Sequence, residues 1–236
     1  MSLKIAILVS GRGSNMTAIL DAIDVGTLDA KVALVFSNNI DAAALATAAA
    51  RGIPTASLSH RGIPREHHEQ QVLKILSEHE FDFIVLAGYM RVLSANFLRA
   101  FKDERGFFKV INIHPSLLPA FPGTHGYEEA FDYGVRLSGI TVHLVDEQVD
   151  HGPILAQESF PRLPEDNLEA FKSRGLALEH KLFPKVLQDI SSNGISLLKT
   201  EAHENLLTEA VPSRSHTSNE KSAVPSGQGP KGGATR

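Results

Sequence analysis

An asparagine and a histidine close one apolar run of the chain, Lys109-Val-Ile-Asn112-Ile113-His114, and Pro115 follows. In an extended strand, side chains alternate between faces, so Asn112 and His114 project to one side and Ile113 to the other. Proline then ends the hydrogen-bonded ladder. The pair suits acyl chemistry. An amide N–H can polarise a carbonyl oxygen, and an imidazolium can stabilise the oxyanion that forms from it. A carboxylate nearby would raise the imidazole pKa and favour the charged acid form. Asp150, in the polar stretch Asp146-Glu-Gln-Val-Asp150-His151-Gly152, is the candidate. A strand-end Asn and His can equally do no more than satisfy loop backbone groups. His143, set between Val142 and Leu144, reads as a buried, hydrogen-bonded histidine rather than a proton donor.

A second stretch with chemical potential is Ser10-Gly11-Arg12-Gly13-Ser14-Asn15, which follows the apolar run Ile5-Ala-Ile-Leu-Val9. Glycines permit positive φ and close backbone approach. Ser14 or Asn15 can cap a following helix, whose free N–H groups favour an anion. The Walker spacing is absent. The dinucleotide pattern fails too, because Met16 stands where a small residue is needed and Ser37-Asn38-Asn39 where an acid is needed. A pocket for one phosphate remains, although glycine-rich strand-to-helix turns also serve purely structural ends.

Other chemistries are excluded by residue type or spacing. With no cysteine there is no disulfide, thiolate nucleophile or Cys-type zinc site. The 11 histidines form no His-Glu-x-x-His and no helical pair with a carboxylate partner, so no metal is expected. His67 and His68 are adjacent and diverge around a helix, which points to the surface. No Gly-x-Ser-x-Gly elbow exists. The formal charge is −4, and there is no Trp, so neither phosphate neutralisation nor base stacking argues for nucleic acid. No segment suits a membrane span or a signal peptide, and a soluble cytoplasmic protein is expected.

The elements that must position these residues are legible. Besides Ile5–Val9, the stretches 31–37, 83–86, 109–113 and 140–145 read as strands, and near-continuous apolar strands imply a largely parallel sheet covered on both faces. Between them lie helical patterns: Met16, Ile19, Leu20 and Ile23 form one stripe, 42–50 is nearly all alanine, and 65–79 and 167–190 follow. Pro184 predicts a kink or break in the last. In an open α/β sheet, ligands bind beyond the carboxyl ends of the strands, where strand order reverses. The loops after Val9, Leu86, Ile113 and Val145 are therefore the ones of interest. Residues 1–210 are expected to form one catalytic domain. Residues 211–236, with five Ser, four Gly and three Pro, are expected to be a disordered tail.

Several segments together resemble the phosphoribosylglycinamide formyltransferase family: Ser10-Gly-Arg-Gly-Ser-Asn15, Leu86-Ala-Gly-Tyr-Met-Arg-Val-Leu-Ser94, Ile111-Asn-Ile-His-Pro-Ser-Leu-Leu-Pro119, Thr141-Val-His143 and Val149-Asp-His-Gly-Pro153. The resemblance runs from Lys4 to about Lys199. It implies a Rossmann-like open, mostly parallel twisted α/β sheet flanked by helices. It implies transfer of a formyl group from the co-substrate 10-formyltetrahydrofolate to the amine of glycinamide ribonucleotide. Gly13, Ser14, Asn15 and Glu179 would hold the ribonucleotide. Arg65, Met90, Arg91, Val92, Leu93 and Asn112 would hold the folate, with 146–150 as a folate-binding loop. Asn112, His114 and Asp150 would be the catalytic trio. The partners would be small molecules, with no metal, nucleic acid or membrane, in a monomer or homodimer. His151 departs from the small residue usual in the family, and Leu176 from a Lys or Gln found in some members.

Two rivals lie within the same superfamily and a third in a different class. Methionyl-tRNA formyltransferase would want a basic RNA-binding domain and an Arg-rich loop after Leu-Leu-Pro, where Ala120-Phe-Pro-Gly-Thr-His-Gly126 stands. Formyltetrahydrofolate deformylase carries a domain ahead of the first strand and a second His where Pro115 stands. A non-catalytic phosphate-binding module would need no transferable group at all.

Overall fold

The computed structural model describes residues 2–195, so the boundary expected at 210 and the expected disordered tail lie outside the described residues. The chain runs β1 (Leu3–Val9), α1 (Ser14–Asp24), β2 (Ala30–Ser37), α2 (Ala43–Ala50), β3 (Thr55–Ser57), α3 (Arg65–Ser77) and β4 (Phe83–Leu86). It continues through α4 (Ala95–Arg99), β5 (Val110–His114), α5 (Gly126–Tyr133), β6 (Leu137–Leu144), β7 (Ile154–Pro161) and α6 (Leu168–Asn193). One seven-stranded sheet has the order β3-β2-β1-β4-β5-β6-β7. The five strands from β1 to β5 pair in parallel, while β5–β6 and β6–β7 pair antiparallel. Strand order reverses between β1 and β4, which opens the crevice where such sheets bind ligands.

The strand alternation divides the core into two layers. Ile5, Ile7 and Val9 of β1 pack with α1, α2 and α6, whereas Ala6 and Leu8 face α3 and α4. That double burial is why the parallel strands read as unbroken apolar runs. In β5, Val110 belongs to the α3/α4 layer and Ile111 and Ile113 to the other. Asn112 and His114 therefore extend the α3/α4 side of the sheet. In β6, Ile140, Val142 and Leu144 face the opposite layer, so Thr141 and His143 share the side of Asn112 and His114.

Two expectations need correction, a break at Pro184 and a surface place for His68, and the edge strand β7 was not expected. The helix α6 runs unbroken through Pro184. A mid-helix proline costs ~3 kcal/mol, but Leu182, Phe183, Val186 and Leu187 around it are all buried. Each such side chain contributes ~1.5–3 kcal/mol, so together they exceed that cost. His68 is not a surface residue: it is fully buried, its Nε2 against the Leu58 carbonyl at 3.0 Å, while its neighbour His67 is exposed. The i, i+4 spacing with Val72 places it on the apolar stripe of α3. The polar stretch 146–153 after β6 is a loop, as expected, and the edge strand β7 that follows it from Ile154 is not among the expected strands.

Phe171 of α6 is completely buried among the rings of Phe160, Phe131 and Tyr127, at 5.1, 5.6 and 6.2 Å between centroids. Phe171→Ala is expected to lower unfolding stability by ~3–5 kcal/mol, measured as a reduced midpoint in urea. A loss below 1 kcal/mol would mean that this aromatic cluster does not anchor α6.

Candidate active site

The structure brings Asn112, His114 and Asp150 together. Asp150 Oδ2 lies 3.3 Å from His114 Nδ1 and accepts the Gly123 backbone N–H at 2.7 Å. Its Oδ1 lies 3.5 Å from Asn112 Nδ2 and 3.6 Å from His143 Nε2. His114 is 3% exposed, and its Nε2–H donates to the Phe121 carbonyl at 2.7 Å.

His143 is the member that the sequence placed only as a buried, bonded side chain. It is 1% exposed, stands opposite Asn112 in the β5–β6 ladder, and its Nδ1–H donates to the Leu144 carbonyl at 2.9 Å. In the neutral ring Nε2 is then an acceptor, and Asn112 Nδ2 donates to it at 3.2 Å. The signal was present: a period-two alternation of Ile140, Val142 and Leu144 puts His143 on the face opposite the core they build.

Asp150 reaches this face although it follows an antiparallel strand whose end points away from the carboxyl end of β5. The loop folds back. Leu144 N–H donates to the Pro153 carbonyl and Val145 N–H to the Val110 carbonyl, both at 2.8 Å. Gly152 permits the closure, because a Cβ there would overlap the Leu144 carbonyl oxygen. Asp150 itself sits at φ 52°, in the left-handed region.

The electrostatics contain a conflict. Both ring nitrogens of His114 face acceptors, so the geometry is fully satisfied only by a doubly protonated ring. Asp150 raises the His114 pKa, as expected, but does not prevail. Burial, the larger influence, draws it below the ordinary imidazole value, against the Asp150 carboxylate and the Phe121 carbonyl, which raise it. The imidazolium is thus accommodated by its partners but loosely held. For Asp150, burial pushes the carboxyl up. The His143 ring where it is protonated, the Gly123 N–H and the charge of His114 together outweigh it and leave the pKa below the usual carboxylate range.

A cleft of about 230 Å³ opens beside this cluster, and Met90, Arg91, Val92 and Leu93 line it together with Asn112 and Asp150. Arg65 does not line it. Its guanidinium donates to the Val92 carbonyl at 2.6 Å and to Glu69 at 3.3 Å, and Glu69 in turn accepts from the Ser94 N–H at 2.9 Å. Arg65 and Glu69 therefore hold the two ends of the 92–94 backbone. His151, the departure from the family pattern, pairs with Asp146 at 2.7 Å on the loop that walls the same cleft.

The Gly13 turn forms a second cluster. Gly13 takes φ 73° at the N-terminus of α1, and a Cβ there would come within 2.6 Å of the Ala44 Cβ. The expected side-chain cap is absent, since neither Ser14 nor Asn15 caps α1, and no acidic residue stands in its first turn. Asn15 is used elsewhere: its Nδ2 donates to Glu179 Oε2 at 2.6 Å, while Tyr127 donates to Glu179 Oε1 at 2.5 Å. Burial drives the Glu179 pKa up, opposed by these two hydrogen bonds. Burial and the Glu179 charge drive Tyr127 up as well. Asn15 Oδ1 is buried with no hydrogen-bond partner among the described residues. The first turn of α5 touches both clusters. Tyr127 reaches Glu179, and a Cβ on its neighbour Gly126 would lie 3.2 Å from His114 Nε2. Tyr127 was missed in the sequence because a lone Tyr after a glycine carries no motif.

Among the described residues no group of three or more His, Asp or Glu is placed to hold a metal ion, and no helix is long and apolar enough to cross a membrane.

Residues 3–187 match the model of the formyl transferase family. The phosphoribosylglycinamide formyltransferase of Bacillus subtilis is 39% identical over 188 residues, covering 79% of this chain and 94% of that protein. The trifunctional purine biosynthetic protein adenosine-3 of Drosophila pseudoobscura pseudoobscura is 41% identical over 209 residues, which are 86% of this chain but 15% of that protein. The crystal structure of glycinamide ribonucleotide transformylase 1 from Symbiobacterium toebii superimposes with a TM-score of 0.78 at 34% identity, covering 84% of this chain and 91% of that one.

Proposed function

The chain belongs to the formyl transferase family, and we propose that it acts as a phosphoribosylglycinamide formyltransferase. It transfers the formyl group of 10-formyltetrahydrofolate to the amine of glycinamide ribonucleotide, a step of purine biosynthesis. The observation that carries this is the meeting of Asn112, His114 and Asp150 at the wall of a cleft also lined by Met90–Leu93.

The folate lies in that cleft, its pterin against the 90–93 backbone that Arg65 and Glu69 fix from behind. The ribonucleotide phosphate takes the uncapped N-terminus of α1 at Gly13–Asn15, where free N–H groups favour an anion. Asn15 Oδ1 and Glu179 offer acceptors to its hydroxyl and N–H groups. The amine attacks the formyl carbon. A carbon–nitrogen bond forms to the amine, the bond to N10 breaks, and the amine's proton passes to N10, with Asp150 as relay through water.

Asn112 and His114 carry the charge that develops on the formyl oxygen. One Asn112 N–H is committed to His143, and the other, 3.5 Å from Asp150, is weakly held and free to turn to the substrate. The His114 N–H groups are committed to Phe121 and Asp150, so its contribution is the positive charge of the protonated ring. Small molecules are the only partners in this scheme, and its setting is the cytoplasm.

The test is an assay of 10-formyltetrahydrofolate with and without glycinamide ribonucleotide. Tetrahydrofolate release that requires the ribonucleotide is expected. Release without it would indicate a hydrolase, and none at all a binding module.

Asp150→Asn carries a pH prediction. Asp150 raises the His114 pKa, so its neutralisation lowers that pKa further. Activity that needs the imidazolium is lost as pH rises through this pKa. The alkaline limb of the kcat/KM profile, which reports the free enzyme, is expected to move to lower pH. An unmoved limb would separate Asp150 from the protonation of His114.

A further inference from the structure

Asn38 takes no part in the chemistry above, yet it is buried at the end of β2, in the Ser37-Asn38-Asn39 triplet where a dinucleotide-binding fold would need an acid. Its Oδ1 accepts the hydroxyl proton of Ser10 at 2.5 Å, and its Nδ2 lies 3.1 Å from His60 Nδ1. With that proton directed at Asn38, Ser10 Oγ presents its lone pairs to the other side and accepts the backbone N–H of Met90 at 2.8 Å. The Ser10 backbone is held as well. Its N–H donates to the Gly88 carbonyl at 3.1 Å, and its carbonyl accepts from Asn39 Nδ2 at 3.4 Å.

Ser10 opens the turn that contains Gly13, and Met90 belongs to the 88–93 segment that lines the cleft. The bond between them spans the crevice between β1 and β4 at the reversal of strand order. Leu93 anchors the 88–93 segment in the core and Tyr89 packs against it, whereas Met90 and Val92 are exposed by 67% and 56%, so at Met90 a tether to another element rather than burial sets the backbone position.

We propose that Ser10, oriented by Asn38, is a positioning residue that ties the ribonucleotide turn to the folate segment, so that occupancy of either site tightens binding at the other. The proposal rests on the formyl-transfer reading. A ligand that fixes the Gly13 turn also fixes Ser10, and so removes part of the ordering cost that a second ligand would meet at Met90. Linkage makes the effect reciprocal.

The test is calorimetric titration of the full chain with tetrahydrofolate, without and with saturating glycinamide ribonucleotide, a pair that cannot react because no formyl group is present. The wild type is expected to bind tetrahydrofolate more tightly when the ribonucleotide is bound. Ser10→Ala is expected to reduce that ratio ~2–10-fold, the size of one net hydrogen bond, and Ser10→Thr to restore it. Asn38→Ala frees the hydroxyl rather than deleting it, and reads the same ratio should Ser10→Ala not fold. A merely structural role would weaken both ligands and leave the ratio unchanged. Equal affinities in the wild type, or a wild-type ratio in Ser10→Ala, would overturn the coupling while leaving the formyl-transfer reading intact. Failure of the wild type to bind either ligand would overturn that reading and the coupling with it.

Discussion

His114→Ala is expected to lower kcat by ~10²–10³ while leaving KM for both substrates close to the wild-type values. The magnitude is that of one lost oxyanion-stabilising group in a site that excludes water, and His114, at 3% exposure, is in such a site. The loss appears in kcat because the negative charge exists only in the transition state and the tetrahedral intermediate. Asn112→Ala is expected to lose a similar factor, through its amide donor. The two act on the same oxygen, so the double variant should lose less than the product of the single losses. Steady-state kinetics on folded variants, with circular dichroism as the check on folding, decide the matter. Turnover within a few-fold of wild type in either single variant would remove that residue from the chemistry.

Gly152→Ala is expected to cost ~10² in kcat/KM although residue 152 faces no substrate, because a shift of about 1 Å in a reacting group is enough for such a loss. A methyl group at this position would overlap the Leu144 carbonyl oxygen, a backbone atom, and no side chain can yield to relieve it. The loop must therefore open. Asp150 is two residues away, already in a left-handed conformation at φ 52° and held to the site by the Gly123 N–H. Opening the loop withdraws the carboxylate from His114 and moves Gln148 and Val149 off the cleft wall. Folate KM should therefore rise together with the fall in kcat, a pattern that distinguishes this variant from His114→Ala. Wild-type kinetics for Gly152→Ala would show that the closed loop does not set the position of Asp150.

The active-site pair was legible because it needs only a strand and an end to it. Two polar residues separated by one apolar residue must share a face, and Pro115 must end the ladder, whatever the rest of the chain does. The glycine turn was legible for the same local reason. The carboxylate could be named only by proximity to a strand. Its arrival depends on β6 running antiparallel, on the loop doubling back, and on one glycine at the point of closest approach.

The raising influence of Asp150 on His114 is legible because a neighbouring carboxylate can be inferred from sequence, whereas the depth of burial that outweighs it cannot. The helix caps follow the same division. Asn15 has the chemistry of a cap, yet it serves Glu179, 164 residues away, and leaves the end of α1 uncapped. Two adjacent histidines that diverge around a helix point to the surface, while the apolar stripe of α3 places His68 in the core.

Five of the seven strands and four of the six helices among the described residues, the two faces of each strand and the residue types at strand ends are readable in the chain, because they follow from backbone periodicity and side-chain chemistry over a few residues, whereas β3, α4, α5 and β7 are not. The tertiary structure alone decided the rest: the antiparallel turn of the sheet after β5, the admission of His143 and Tyr127 to the two clusters, and the bond from Ser10 to Met90. Each of these is a contact between segments far apart in the chain. Such contacts depend on packing the whole sheet, and no local rule reaches across that distance.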